Sequence, residues 1–166
     1  VKQGTGPELI VLLHGWPEFW YSWGYQLPVL SEKYTVIAPD LRGFNLSDKP
    51  VGYEQYQTKH VIKDIKELVQ QLGFEKCNIV GHDWGGGVAW HFAIAFPEMT
   101  KKLAILNCPH PYLLLKNLLT NPKQLKKSWY MMGFQIPFLP EFLMQQFLSQ
   151  LFERNMRGWL YNPENM

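Results

Sequence analysis

The chain has 166 residues, of which 46% are hydrophobic, 15% aromatic and 18% charged, with a formal charge of +2. That length sets one domain or a large piece of one, and that apolar content is too high for a disordered chain. The charge is too small to argue for a nucleic-acid partner, and two cysteines, Cys77 and Cys108, make no disulfide scaffold and no metal-ligand spacing. No apolar run is long enough to span a bilayer and no signal-peptide pattern appears, so a reduced, cytoplasmic compartment is the default expectation.

In chain order, Leu9–Leu13 is a short continuous apolar run, the pattern of a strand buried on both faces. A short helical stretch over Ser22–Ser31, interrupted by Pro28, leads to a second strand at Tyr34–Ala38. Gln57–Leu72 is the clearest helix, with Val61, Ile62, Ile65, Leu68, Val69 and Leu72 at helical spacing and Gly73 as its stop. A strand at Cys77–Val80, a helix at Trp84–Phe96 ended by Pro97, and a strand at Leu103–Leu106 follow. This alternation predicts a parallel α/β sheet with right-handed crossovers and helices on both sides. From Pro109 the strand pattern stops and the sequence turns helical and Pro-punctuated, over Tyr112–Leu119, Pro122–Met132 and Glu141–Phe152. Residues 109–166 carry 6 basic and 3 acidic side chains, the densest basic group being Lys123, Lys126 and Lys127, read as a solvated helix face. Two regions are expected: 1–108 as the sheet-bearing core and 109–166 as a helical excursion from it. The abundant aromatics predict an apolar cavity or an interface, or else an aromatic-rich core.

The chemistry-bearing motif is Gly81-His82-Asp83-Trp84-Gly85-Gly86, between a strand and a helix. It is a nucleophile elbow with Asp at the nucleophile position. A turn this tight strains the central residue and thrusts its side chain out at the sheet edge. Gly81 and Gly85 fit the need for small residues where the two backbones meet, and the helix N-terminus favours a carboxylate at Asp83. The alternative is a Gly-rich turn with Asp83 as a helix cap. Two more motifs, His14-Gly15-Trp16-Pro17 and Asp40-Leu41-Arg42-Gly43, follow the first and second strands. Three loops therefore meet at the carboxyl ends of the strands, where open α/β sheets hold their sites.

These residues resemble the α/β-hydrolase fold and, within it, the epoxide hydrolases. The matching pieces are His14–Trp23, Asp40–Ser47 and Gly81–Gly86, with Asn107–Pro111 similar to the exit into a cap and Ser128–Pro137 to the start of that cap. The resemblance implies that Asp83 attacks an epoxide carbon, that Tyr130 hydrogen-bonds the epoxide oxygen, and that a histidine activates water against the resulting ester. It implies an oxyanion hole of the backbone N–H groups of Trp16 and Trp84, and a small apolar epoxide as substrate. Trp16, Pro17, Trp84 and Phe134 would line the substrate site, and His14, Gly15, Gly81 and Gly85 would shape it. No cofactor and no metal are implied. The Trp16–Pro17 bond is a candidate for cis geometry by the same resemblance. The choice of carboxylate suits displacement at saturated carbon, where serine suits acyl transfer.

Haloalkane dehalogenases share the Asp-Trp-Gly-Gly elbow but carry Asn where Trp16 stands. Fluoroacetate-type dehalogenases carry arginines just after the nucleophile, where this chain has Gly86 and Gly87. His14 and His82 are expected to be structural. In this fold the chain order is nucleophile, acid, histidine. No histidine follows His110, no aspartate follows Asp83, and the sequence begins with Val1. The expectation is a part of a longer enzyme, with no strand before Leu9 and no multiple turnover by residues 1–166 alone. The competing class is a truncated, non-catalytic protein that binds apolar ligands or another subunit.

Overall fold

The structure, a computed structural model, describes residues 1–134, 136, 138–143 and 146. It divides into two compact units, Val1–Leu113 and Leu114–Met166.

The first unit is built on a five-stranded sheet: β1 (Lys2–Gln3), β2 (Leu9–Leu13), β3 (Thr35–Ile37), β4 (Cys77–His82) and β5 (Thr100–Leu106). Its spatial order is β1-β3-β2-β4-β5, parallel throughout except for β1, which runs antiparallel to β3. The β-branched and leucine runs form the inner strands because each has both faces covered, and all five residues of β2 are buried. One face packs Leu9, Val11, Leu13 and Ile79 against α2 (Thr58–Gln71) and α3 (Trp84–Ala95). The other packs Ile10, Leu12 and Val36 against Trp23 and Leu27, the latter from α1 (Gln26–Ser31). Helices thus lie on both sides, as the alternating pattern predicts. In α2 the buried residues are Val61, Ile65 and Val69, one every turn, with Ile62, Leu68 and Leu72 partly buried beside them. Gly73 follows at φ 81°, the left-handed stop that glycine accommodates.

The structure corrects the sequence reading at several points. A strand does precede Leu9: Lys2 and Gln3 pair with Ile37 and Val36, too short a stretch to carry a pattern. The stretch over 22–31 is two pieces, a 3-10 turn at Trp20–Trp23 and then α1, parted at Gly24 and Tyr25. The helix expected over Pro122–Met132 breaks at Ser128 into α5 (Pro122–Lys127) and α6 (Trp129–Gly133). The helix expected over Glu141–Phe152 lies for the most part outside the described residues.

α4 (Pro111–Thr120) leads from the first unit into the second. In the second unit Asn121 caps α5, its side-chain oxygen accepting from the N–H groups of Lys123 at 3.1 Å and Gln124 at 3.4 Å. Lys123, Lys126 and Lys127 are all exposed. Among the described residues, no helix is long and apolar enough to cross a membrane.

Candidate active site

Asp83 stands between β4 and α3 at φ 50°, ψ −117°, a conformation that costs an L-residue of order 1–3 kcal/mol. Main-chain bonds fix it on both sides: its N–H donates to Leu106 O at 3.1 Å, and its carbonyl accepts from Gly87 N–H at 3.1 Å. The packing around it leaves no room for larger neighbours. A Cβ on Gly85 would lie 2.4 Å from Leu13 O and 2.5 Å from His14 O, and one on Gly81 would lie 2.3 Å from Gly85 O. The strand and helix backbones therefore touch, as the elbow motif requires. The Asp83 side chain makes no helix-capping bond. Its carboxylate is not used as a cap.

The carboxylate instead meets the loop after β2. Trp16 N–H donates to Asp83 Oδ1 at 3.0 Å. Gly15 makes this approach possible, since a Cβ there would sit 2.7 Å from Asp83 Cβ. The Trp16–Pro17 peptide is cis, as the resemblance suggested. Trp84 is the first residue of α3, where helix geometry leaves the N–H without an intrahelical acceptor. The Trp16 and Trp84 side chains are each about half exposed.

His14 is wholly buried. Its Nε2 accepts from Leu41 N–H at 3.0 Å, so the proton is on Nδ1, which donates to Gly15 O at 2.9 Å. Burial holds its pKa below the ordinary histidine value. With one nitrogen accepting and the other donating, the ring ties the loop after β2 to Leu41. Phe44 packs edge-on against it at 4.9 Å between ring centres.

His82 is engaged at both nitrogens, with Nδ1 3.2 Å from Glu18 Oε2 and Nε2 3.3 Å from Asn107 Nδ2. Glu18 Oε2 also accepts from Gly15 N–H at 3.3 Å. One carboxylate oxygen thus ties the Trp16 loop to the elbow. Cys108 lies under the turn against Gly86, and burial, then Asp83, hold its thiol above its ordinary pKa. It stays protonated beside the carboxylate.

Asp40 Oδ1 accepts from Trp20 N–H at 2.9 Å, and Oδ2 from Asn45 Nδ2 at 2.9 Å. Sequence reasoning assigns Glu18, Asp40 and Asn45 no separate role. Their positions inside the quoted motifs were the available signal. Among the described residues no three His, Cys, Asp or Glu side chains form a metal cluster.

The first unit therefore brings Asp83, Trp16, Pro17, Trp84, His14, Gly15, Gly81 and Gly85 into one site. Tyr130 and Phe134 belong to the second unit, where their rings meet edge-on at 6.0 Å and each is about half exposed.

Comparison with known proteins finds similar chains and a family. The human protein epoxide hydrolase 4 is 45% identical over 157 residues, covering 92% of this chain and 43% of that protein. An AB hydrolase superfamily protein of Bacillus subtilis is 50% identical over 137 residues, covering 82% of this chain and 48% of its own length. The chain thus spans less than half of each of these relatives. A mutant epoxide hydrolase from Bacillus megaterium, solved in complex with its diol product, superposes with a TM-score of 0.85 at 37% identity, covering 98% of this chain and 55% of that one. Residues 8–156 match the family described as alpha/beta hydrolase fold, and the chain belongs to that family.

Proposed function

We propose that the protein carrying this chain is an epoxide hydrolase that works through an alkyl ester on Asp83. The observation that supports this most is the 3.0 Å bond from Trp16 N–H to Asp83 Oδ1, made to a carboxylate that caps no helix, on a residue with a strained backbone. It leaves Oδ2 as the attacking oxygen. Oδ2 bonds to an epoxide carbon, the carbon–oxygen bond of the ring breaks, and the ring oxygen takes a proton from the Tyr130 hydroxyl. Water then attacks the Asp83 carbonyl carbon and gives one proton to a histidine base, as the resemblance implies, from which that proton returns to restore the Tyr130 hydroxyl. Charge develops on Oδ1, where the N–H groups of Trp16 and Trp84 would stabilise it. The diol leaves with the Asp83 oxygen that attacked. The rings of Trp16 and Trp84, with Pro17 and Phe134, suit an apolar epoxide. Residues 109–166 act as the beginning of a cap that carries Tyr130, and residues 1–108 as the core. His14 and His82, with both nitrogens engaged, are given no part in activating water.

The likeness to proteins named epoxide hydrolases favours this reading over a dehalogenase or a ligand-binding protein. Incubation of the Asp83→Asn variant of the protein with styrene oxide tests it. The wild type gains the mass of one styrene oxide on the peptide containing Asp83, and the variant gains none. An adduct that persists in Asp83→Asn overturns the assignment of the nucleophile.

A further inference from the structure

The loop that delivers Trp16 N–H to Asp83 is held from outside by the loop after β3. Leu41 N–H donates to His14 Nε2, and the Phe44 ring lies against the same imidazole. At the other end, Asp40 Oδ1 takes Trp20 N–H. The bracing loop is itself tied by its own contacts. Asp40 Oδ2 binds the Asn45 amide, Asp40 O accepts from Ser47 Oγ at 2.6 Å, and Gly43 N–H donates to Asp48 O at 2.9 Å. Arg42 anchors it to α2 through a two-pronged pair with Asp64 at 2.6 and 2.8 Å. Asn45 sits at φ 40°, a left-handed conformation that Asn tolerates well.

We propose that Asp40 is a positioning residue for the oxyanion hole: by holding Trp20 N–H and Asn45 together, it fixes the 14–20 loop so that Trp16 N–H stays on Asp83. Asp40 touches neither Trp16 nor the reacting atoms, so its effect travels through the loop. The effect is unequal between the two chemical steps. On ester formation the negative charge leaves Asp83 and the Trp16 donor loses its partner's charge. On ester hydrolysis the charge returns to Oδ1. A loosened donor therefore slows the second step selectively. This kinetic consequence rests on the epoxide reading, whereas the mechanical one does not.

The test follows backbone amide exchange in ¹⁵N-tryptophan-labelled protein, alongside single-turnover kinetics with styrene oxide. In Asp40→Ala, the Trp20 and Trp16 amides are both expected to exchange at least about fivefold faster. Ester hydrolysis falls about tenfold while ring opening stays within about twofold, so the alkylated protein accumulates. Asp40→Asn keeps an acceptor for Trp20, and its amide can pair with a turned Asn45. It restores both amides and the hydrolysis rate. Asn45→Gly, on the exposed loop and suited to φ 40°, shows the same Trp16 effect in weaker form and decides the matter should Asp40→Ala not fold. Faster exchange at Trp20 with Trp16 unchanged overturns the brace, as does an equal slowing of both steps. Absence of any adduct in the wild type sinks the epoxide reading instead and leaves the exchange result to judge Asp40.

Discussion

The two ends of one sheet are built differently. At the carboxyl ends, Asp83 and Asn107 hold positive φ, His14 is buried, and the carboxylates of Glu18 and Asp40 each bind two partners. At the amino ends the contacts are an exposed Glu8–Lys101 pair and part-buried bonds from the Asn78 amide to Glu8 and from the Thr35 hydroxyl to Gly6 O, and a hollow of about 540 Å³ is lined by Phe74, Lys76 and Thr100. Strain and satisfied buried polar groups are costly, and here they are gathered where a carboxylate must be aimed. The opposite end, with no such demand, is closed by ordinary surface chemistry.

Substitutions at the two ends should separate accordingly. The largest effect belongs to Gly85→Ala, which drives a methyl group into the carbonyls of Leu13 and His14. A loss of at least ~3 kcal/mol in urea unfolding is expected, or failure to fold. A loss below about 1 kcal/mol would show that the elbow has slack.

His14→Ala comes next, at about 2–3 kcal/mol, because it opens a cavity and strands Leu41 N–H. It also carries a pH signature. The native ring resists protonation relative to the unfolded chain, so below about pH 6.5 the unfolded state binds more protons. Stability of the wild type therefore falls on acidification through that range and down to the depressed native pKa, and this contribution vanishes in His14→Ala. Identical pH slopes for the two proteins would count against a neutral, buried His14.

Glu18→Ala removes the shared acceptor of Gly15 N–H and His82, and is expected to cost about 1–2 kcal/mol by thermal unfolding. At the amino ends, Lys101→Met should leave the unfolding midpoint unchanged, since exposed ion pairs contribute little. A large drop there would erase the contrast between the ends.

What was legible in the sequence follows the same division. The inner strands and the elbow were readable because their determinants are local: continuous apolar runs, a Gly-x-Asp-x-Gly turn, helical spacing in α2. Strand limits shifted by tertiary pairing. β4 runs on to His82 and β5 starts at Thr100, because the register pairs His82 with Leu106 and Cys77 with Thr100. The Glu18–His82 and Asp40–Trp20 contacts join residues 64 and 20 positions apart, and nothing local marks them.

The central claim, that the Asp83 carboxylate itself opens the epoxide, is tested most directly by a single turnover of styrene oxide in H₂¹⁸O with the protein in excess. Attack by Oδ2 followed by hydrolysis at the Asp83 carbonyl predicts unlabelled diol and ¹⁸O in the peptide containing Asp83. Labelled diol with no ¹⁸O in that peptide would mean that water attacks the epoxide directly, and would contradict the account.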